Sequence, residues 1–157
     1  MQEQESTNPA DLTDLSSVPA SGRILCLDPG TKRVGIAVCD ELRLTTRPLD
    51  VITLESWKKL LAKVKSILAG FDAKALVIGL PLESEGGESP MSALARDMAR
   101  KFSLSLDIPV YLQDERVTSY AAKSNLWGRG VGLKQTGNLV DSEAAAIILG
   151  DFLSRLS

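Results

Sequence analysis

The chain contains no histidine and only two cysteines, Cys26 and Cys39. A Ser-His-Asp or Cys-His nucleophilic site therefore cannot be built, and zinc sites rich in thiolate or imidazole lack ligands. Any hydrolytic chemistry must rest on carboxylates. These suit hard cations such as magnesium or manganese, which generate a nucleophile from bound water without an imidazole base. Both cysteines lie in apolar runs that read as strands, which suits buried thiols in a reducing compartment better than a disulfide framework. Long apolar runs are missing as well, since none approaches the roughly 20 residues that span a bilayer. The first 22 residues are acidic rather than led by a basic region and an apolar stretch. No membrane association is expected, and the expected compartment is the cytoplasm.

What is present fits one soluble domain: 157 residues, 44% hydrophobic and 24% charged. Residues 1–22 are rich in Ser, Thr, Pro, Gln and acids, have no apolar period, and read as a disordered extension ahead of a domain spanning 23–157. That extension carries Glu3, Glu5, Asp11 and Asp14 with no Lys or Arg, so the net charge of −2 leaves the domain at +2. A mildly basic domain neither demands nor excludes nucleic acid, and the placement of its charges matters more than their sum.

Periodicity predicts a hairpin from Ile24–Leu27 and Val34–Cys39 around a Pro29–Arg33 turn, then a third strand near Arg47–Ile52. A helix is predicted over Glu55–Ala69 with Gly70 stopping it, then a buried strand at Ala75–Ile78. Ser89 and Pro90 read as the cap and first turn of a helix with Leu94, Ala95, Met98 and Phe102 on its apolar stripe. A strand at Ile108–Leu112, a helix from Thr118 to Leu126, a glycine-rich segment and a helix from Leu139 complete the series, with no internal repeat. An antiparallel opening followed by alternating strands and helices implies an α/β fold with a mixed sheet flanked by helices.

Three acids stand at element ends. Asp28 follows a buried strand where Pro29 and Gly30 turn the chain away, a good metal position or simply a Asp-Pro-Gly turn. Asp114 and Glu115 follow the strand Val110–Leu112, so at least one acid reaches a strand end; an exposed charge cluster is the alternative. Asp141 opens an apolar helix, where an acid also serves as a cap. Between Glu115 and Asp141 lie Arg116, Lys123, Arg129 and Lys134 and no acid. A nuclease needs negative groups for metals and positive groups for the phosphate backbone, in this kind of juxtaposition.

Four segments together resemble one family, the YqgF or RuvX proteins, described as pre-16S rRNA nucleases, within the ribonuclease-H-like superfamily that includes RuvC-type Holliday junction resolvases. The segments are Ile24–Val38, Val77–Leu82, Asp114–Ser119 and Val140–Ala146. The resemblance implies a ribonuclease-H-like mixed sheet, its first three strands antiparallel and the later ones parallel. Asp28, Glu115 and Asp141 match the family's acidic triad. They would hold one or two Mg²⁺ or Mn²⁺ ions that activate water for attack on a phosphodiester. Lys32, Arg33, Arg116, Lys123, Arg129 and Lys134 would meet nucleic acid, and Asp114 would orient a neighbour. Precursor rRNA is the favoured substrate and branched DNA the second, for a monomer or homodimer. A non-catalytic nucleic-acid-binding or partner-recruiting protein is the competing class. The segment Lys134–Asn138 is less basic than the family pattern, and residues 1–22 lie outside the resemblance.

Overall fold

The computed structural model describes residues 15–83, 85–115 and 133–156, with only the backbone of 133–141. The strands are β1 (Ile24–Pro29), β2 (Arg33–Cys39), β3 (Thr46–Thr53), β4 (Ala75–Leu80) and β5 (Val110–Asp114). The helices are α1 (Trp57–Phe71), α2 (Pro90–Ser105) and α3 (Leu133–Ser154). The strands form one sheet in the order β3-β2-β1-β4-β5. β1 pairs antiparallel with β2 and β2 with β3, whereas β1–β4 and β4–β5 are parallel. This is the expected mixed sheet.

The central strands read as unbroken apolar runs because both of their faces are covered. Leu25, Leu27, Leu76 and Ile78 point toward α1 and α2, where they meet Leu60, Val64 and Phe102. Ile24, Cys26, Ala75 and Val77 point to the other face, against Ala145, Ile148, Leu149 and Phe152 of α3. The result is three layers, with α1 and α2 on one side of the sheet and α3 on the other. Each large aliphatic side chain buried in such a core contributes about 1.5–3 kcal/mol relative to exposure. Pro48 is tolerated in β3 because that strand lies at the sheet edge.

Several boundaries differ from the expectation. Ser56 caps α1 through its side chain, which accepts from Lys59 N–H at 3.2 Å, so the helix starts two residues later than predicted. Gly70 does not stop it: α1 runs to Phe71, and Asp72 closes it in a left-handed conformation (φ 52°). Asp tolerates that region better than most residues, and Ala73 N–H satisfies the Leu68 carbonyl at 2.9 Å. On α2 the buried stripe is Ala95, Met98, Ala99 and Phe102, while Leu94 is 38% exposed. β5 begins and ends two residues later than expected, and α3 begins at Leu133 rather than Leu139, running through Gly137. The helix expected at Thr118–Leu126 lies outside the described residues.

The segment 15–22, expected to belong to a disordered extension, is packed on the domain. Leu15 and Val18 rest against the α3-side core, and the hydroxyls of Ser17 and Tyr111 are 2.8 Å apart. Residues 1–14 of that extension lie outside the described residues.

Candidate active site

Strand alternation brings two of the expected acids to one place. Ile24 and Cys26 of β1, and Ala75 and Val77 of β4, face α3. One step past the paired Leu27 and Ile78 come Asp28 and Gly79, neighbours on that same face at the carboxyl ends of parallel strands. On β5, Tyr111 faces α3 and Gln113 accepts a hydrogen bond from Arg155 beyond the end of α3, at 2.7 Å. Glu115 is the next residue on that side. Its N–H continues the ladder to the Leu80 carbonyl at 3.2 Å.

The Glu115 carboxyl lies across Gly79. A Cβ at residue 79 would stand 3.2 Å from Glu115 Oε2, 3.3 Å from its Cδ and 2.9 Å from Ile148 Cδ1. Only a hydrogen at this position leaves room for the acid beneath the isoleucine of α3. Glu115 is 8% exposed and hydrogen-bonded through its side chain to Asp28. Two carboxyl groups make such a bond only when one carries a proton. Burial, then the charge and hydrogen bond of Asp28, then the charge of Asp114, raise Glu115 from an ordinary 4.5 to about 10. Below this pair, burial and the two acids push the Cys26 thiol up, so it is held as a neutral thiol and is not a nucleophile.

Asp114 ends β5 opposite Leu80, half-buried beside Glu115. Lys32 sits on the turn after β1 and Arg33 opens β2, and Gly30–Arg33 line an open depression of about 220 Å³. The turn is closed by Gly30 N–H on the Arg33 carbonyl at 2.9 Å, and a Cβ on Gly30 would lie 2.7 Å from that oxygen. Asp141 is carried on α3, but its side chain, like that of Lys134, is outside the described set. Arg116, Lys123 and Arg129 also lie outside the described residues. Among the described residues no group of three acids, thiols or imidazoles forms a metal cluster. The role of Gly79 was not read from the sequence; a glycine at a buried, α3-facing position next to a strand-end acid is the signal that marks it.

The donor set suits a hard divalent cation. It consists of carboxylate oxygens at the ends of β1 and β5, with Glu115 and Asp28 close enough to hydrogen-bond to each other. Asp28 and Glu115 are the described residues that would hold it.

A mixed five-stranded sheet in this order, covered on both faces and carrying acids at the carboxyl ends of β1 and β5, defines a ribonuclease-H-like protein. *Thermus thermophilus* RuvC in complex with a Holliday junction substrate shares the fold, with a TM-score of 0.53 at 21% identity over 87% of this chain and 96% of that one. The chain belongs to the RuvX family, whose model, described as "RuvX: Holliday junction resolvase", matches residues 22–155. A relative in *Anaeromyxobacter dehalogenans*, named "Putative pre-16S rRNA nuclease", is 38% identical over 133 residues, 85% of this chain and 97% of its own length. A relative of the same name in *Thiobacillus denitrificans* is 36% identical over 144 residues, covering 91% and 99%. No helix among the described residues is long and apolar enough to cross a membrane.

Proposed function

We propose that this chain is a metal-dependent endonuclease that hydrolyses phosphodiester bonds, acting in the maturation of the precursor of 16S rRNA. The observation that carries the reading is the carboxyl pair of buried Glu115 and half-buried Asp28 at the carboxyl ends of parallel strands. The relatives' shared name and the family match support the substrate. Asp28, Glu115 and Asp141 would hold one or two Mg²⁺ or Mn²⁺ ions, which would supply an activated water and charge stabilisation at the leaving oxygen. To become ligands, Asp28 and Glu115 would give up the proton between them. Gly79 and Ile148 hold Glu115 in place, and Lys32 and Arg33, beside the β1–β2 turn, draw in the phosphate backbone. Arg116, Lys123, Arg129 and Lys134 would add further charge toward nucleic acid, and Asp114 would orient a neighbouring group. The protein works in the cytoplasm as a monomer or homodimer.

The family description favours a second reading, cleavage of a four-way DNA junction, which requires two symmetric sites and hence a dimer. Incubation of purified protein with labelled precursor rRNA, linear DNA and a four-way junction, each with magnesium, manganese or chelator, separates the readings. Metal-dependent cutting of the RNA, lost in the Asp28→Asn, Glu115→Gln, Asp141→Asn triple variant, is the expected result. Cutting of the junction alone selects the second reading. Binding without cutting of any substrate returns the protein to the non-catalytic class.

A further inference from the structure

The sheet has one irregularity, and a side chain of α3 is built into it. Val34 pairs with Ile52 but Ile36 pairs with Leu49, so Gly35 alone on β2 faces Asp50 and Val51 on β3. Ser142 reaches this bulge from the helix layer. Its Oγ donates to the Leu49 carbonyl at 2.6 Å and accepts from Ile36 N–H at 3.4 Å. The serine is 2% exposed, so these bonds are made in the packed interior, and they join three elements that are 93 and 106 residues apart in sequence.

The position of this bridge matters more than its strength. Gly35 is the register partner of Asp28 on β1, and Ile36 is the next residue. The hydroxyl is therefore one strand over from Asp28 and one residue along. Asp141 immediately precedes Ser142 on α3. Apolar contacts of α3 with the sheet side of the core come from Ala145, Ala146, Ile148, Leu149 and Phe152, with Leu153 packed beside them. Apolar packing of that kind resists separation strongly but is less directional against small rotation or sliding. Hydrogen bonds have narrow distance and angle limits, and a metal ligand must be held to within about 0.5 Å of its productive place. Bulges commonly re-aim a side chain near a site. Here the bulge opens the β2–β3 ladder to a hydroxyl from the helix.

We infer that Ser142 is a positioning residue, whose hydroxyl bridge across the β2–β3 bulge sets the height and rotation of α3 so that Asp141 is delivered to the Asp28–Glu115 pair. The inference rests on the metal-site reading above. Ser142 itself touches neither substrate nor cation; it acts through Asp141.

Three proteins test it: wild type, Ser142→Ala and Ser142→Thr, which keeps the hydroxyl. Mn²⁺ affinity is measured by calorimetry well below the unfolding temperature, and the unfolding temperature is measured separately in chelator. Ser142→Ala should bind Mn²⁺ at least about tenfold more weakly, the scale seen when a group orienting a metal ligand is removed. Ser142→Thr should retain more of the affinity than Ser142→Ala. A lower unfolding temperature with unchanged Mn²⁺ affinity in Ser142→Ala would make the bridge merely structural and overturn the inference, leaving the metal site intact. Equal loss in the Ala and Thr variants would also overturn it. Failure of the wild type to bind Mn²⁺ would instead remove the metal-site reading, and the inference with it. If Ser142→Ala does not fold, Ser142→Cys, nearly the same size with a much weaker donor, is judged by the same affinities.

Discussion

Replacing Glu115 by Gln should make the metal-free protein more stable at neutral pH, and less sensitive to pH, than the wild type. In the fold Glu115 ionises at about 10 rather than 4.5, because it is buried against Asp28. Between those limits the unfolded chain carries a carboxylate while the folded pair keeps its proton. The stabilisation is therefore fully present below the unfolded value and is lost as pH rises, by about 1.4 kcal/mol per pH unit for one proton. From about pH 5.5 to 7.5 the wild type should lose about 2.7 kcal/mol that Glu115→Gln keeps, since the amide does not titrate but still donates to Asp28. In a chain of this size that is about 5–10 °C of unfolding temperature. Urea unfolding in chelator across this range, monitored by circular dichroism, measures it. Parallel pH dependence in the two proteins would refute the shared-proton pair.

Gly79→Ala places a methyl 2.9 Å from Ile148 Cδ1 and 3.2 Å from the Glu115 carboxyl. It should cost about 1–3 kcal/mol by overpacking and weaken Mn²⁺ binding, both readable by thermal unfolding and calorimetry. Asp28→Asn should abolish cleavage while leaving the circular dichroism spectrum unchanged; retained activity in a nuclease assay would remove Asp28 from the mechanism. Phe102→Ala, which deletes a fully buried ring packed edge-on against Trp57 at 4.7 Å, should cost about 3–5 kcal/mol in urea unfolding. Because it lies on the α1–α2 side of the sheet, it should leave Mn²⁺ affinity at low temperature unchanged.

The parts of the fold legible in the sequence are those set by local pattern. The apolar runs of β1, β2 and β4 announce strands buried on both faces, and Ser89-Pro90 announces α2 through a cap that is indeed made by Ser89 and Ser92. Asp28 is visible because it stands near the end of an apolar run, just before the Pro29-Gly30 turn signal. Boundaries failed at glycines, which lower helix propensity without ending a helix: α1 passes Gly70 to close on Asp72, and α3 passes Gly137. The residue pattern alone left open which of Asp114 and Glu115 enters the site. Alternation along Tyr111, Gln113 and Glu115 puts Glu115 on the α3-covered face beside Asp28 and Gly79, which only the position of α3 reveals. The bulge and its link to Ser142 were not legible, because they depend on a register set by partners about a hundred residues away.

The most direct test of the cation site is calorimetric titration of Mn²⁺ into the metal-free protein at about pH 7.5, in two buffers of different ionisation enthalpy. The account predicts binding coupled to release of about one proton, with both the binding and the release lost in Glu115→Gln. Binding of undiminished affinity in that variant, or no binding by the wild type, would contradict it.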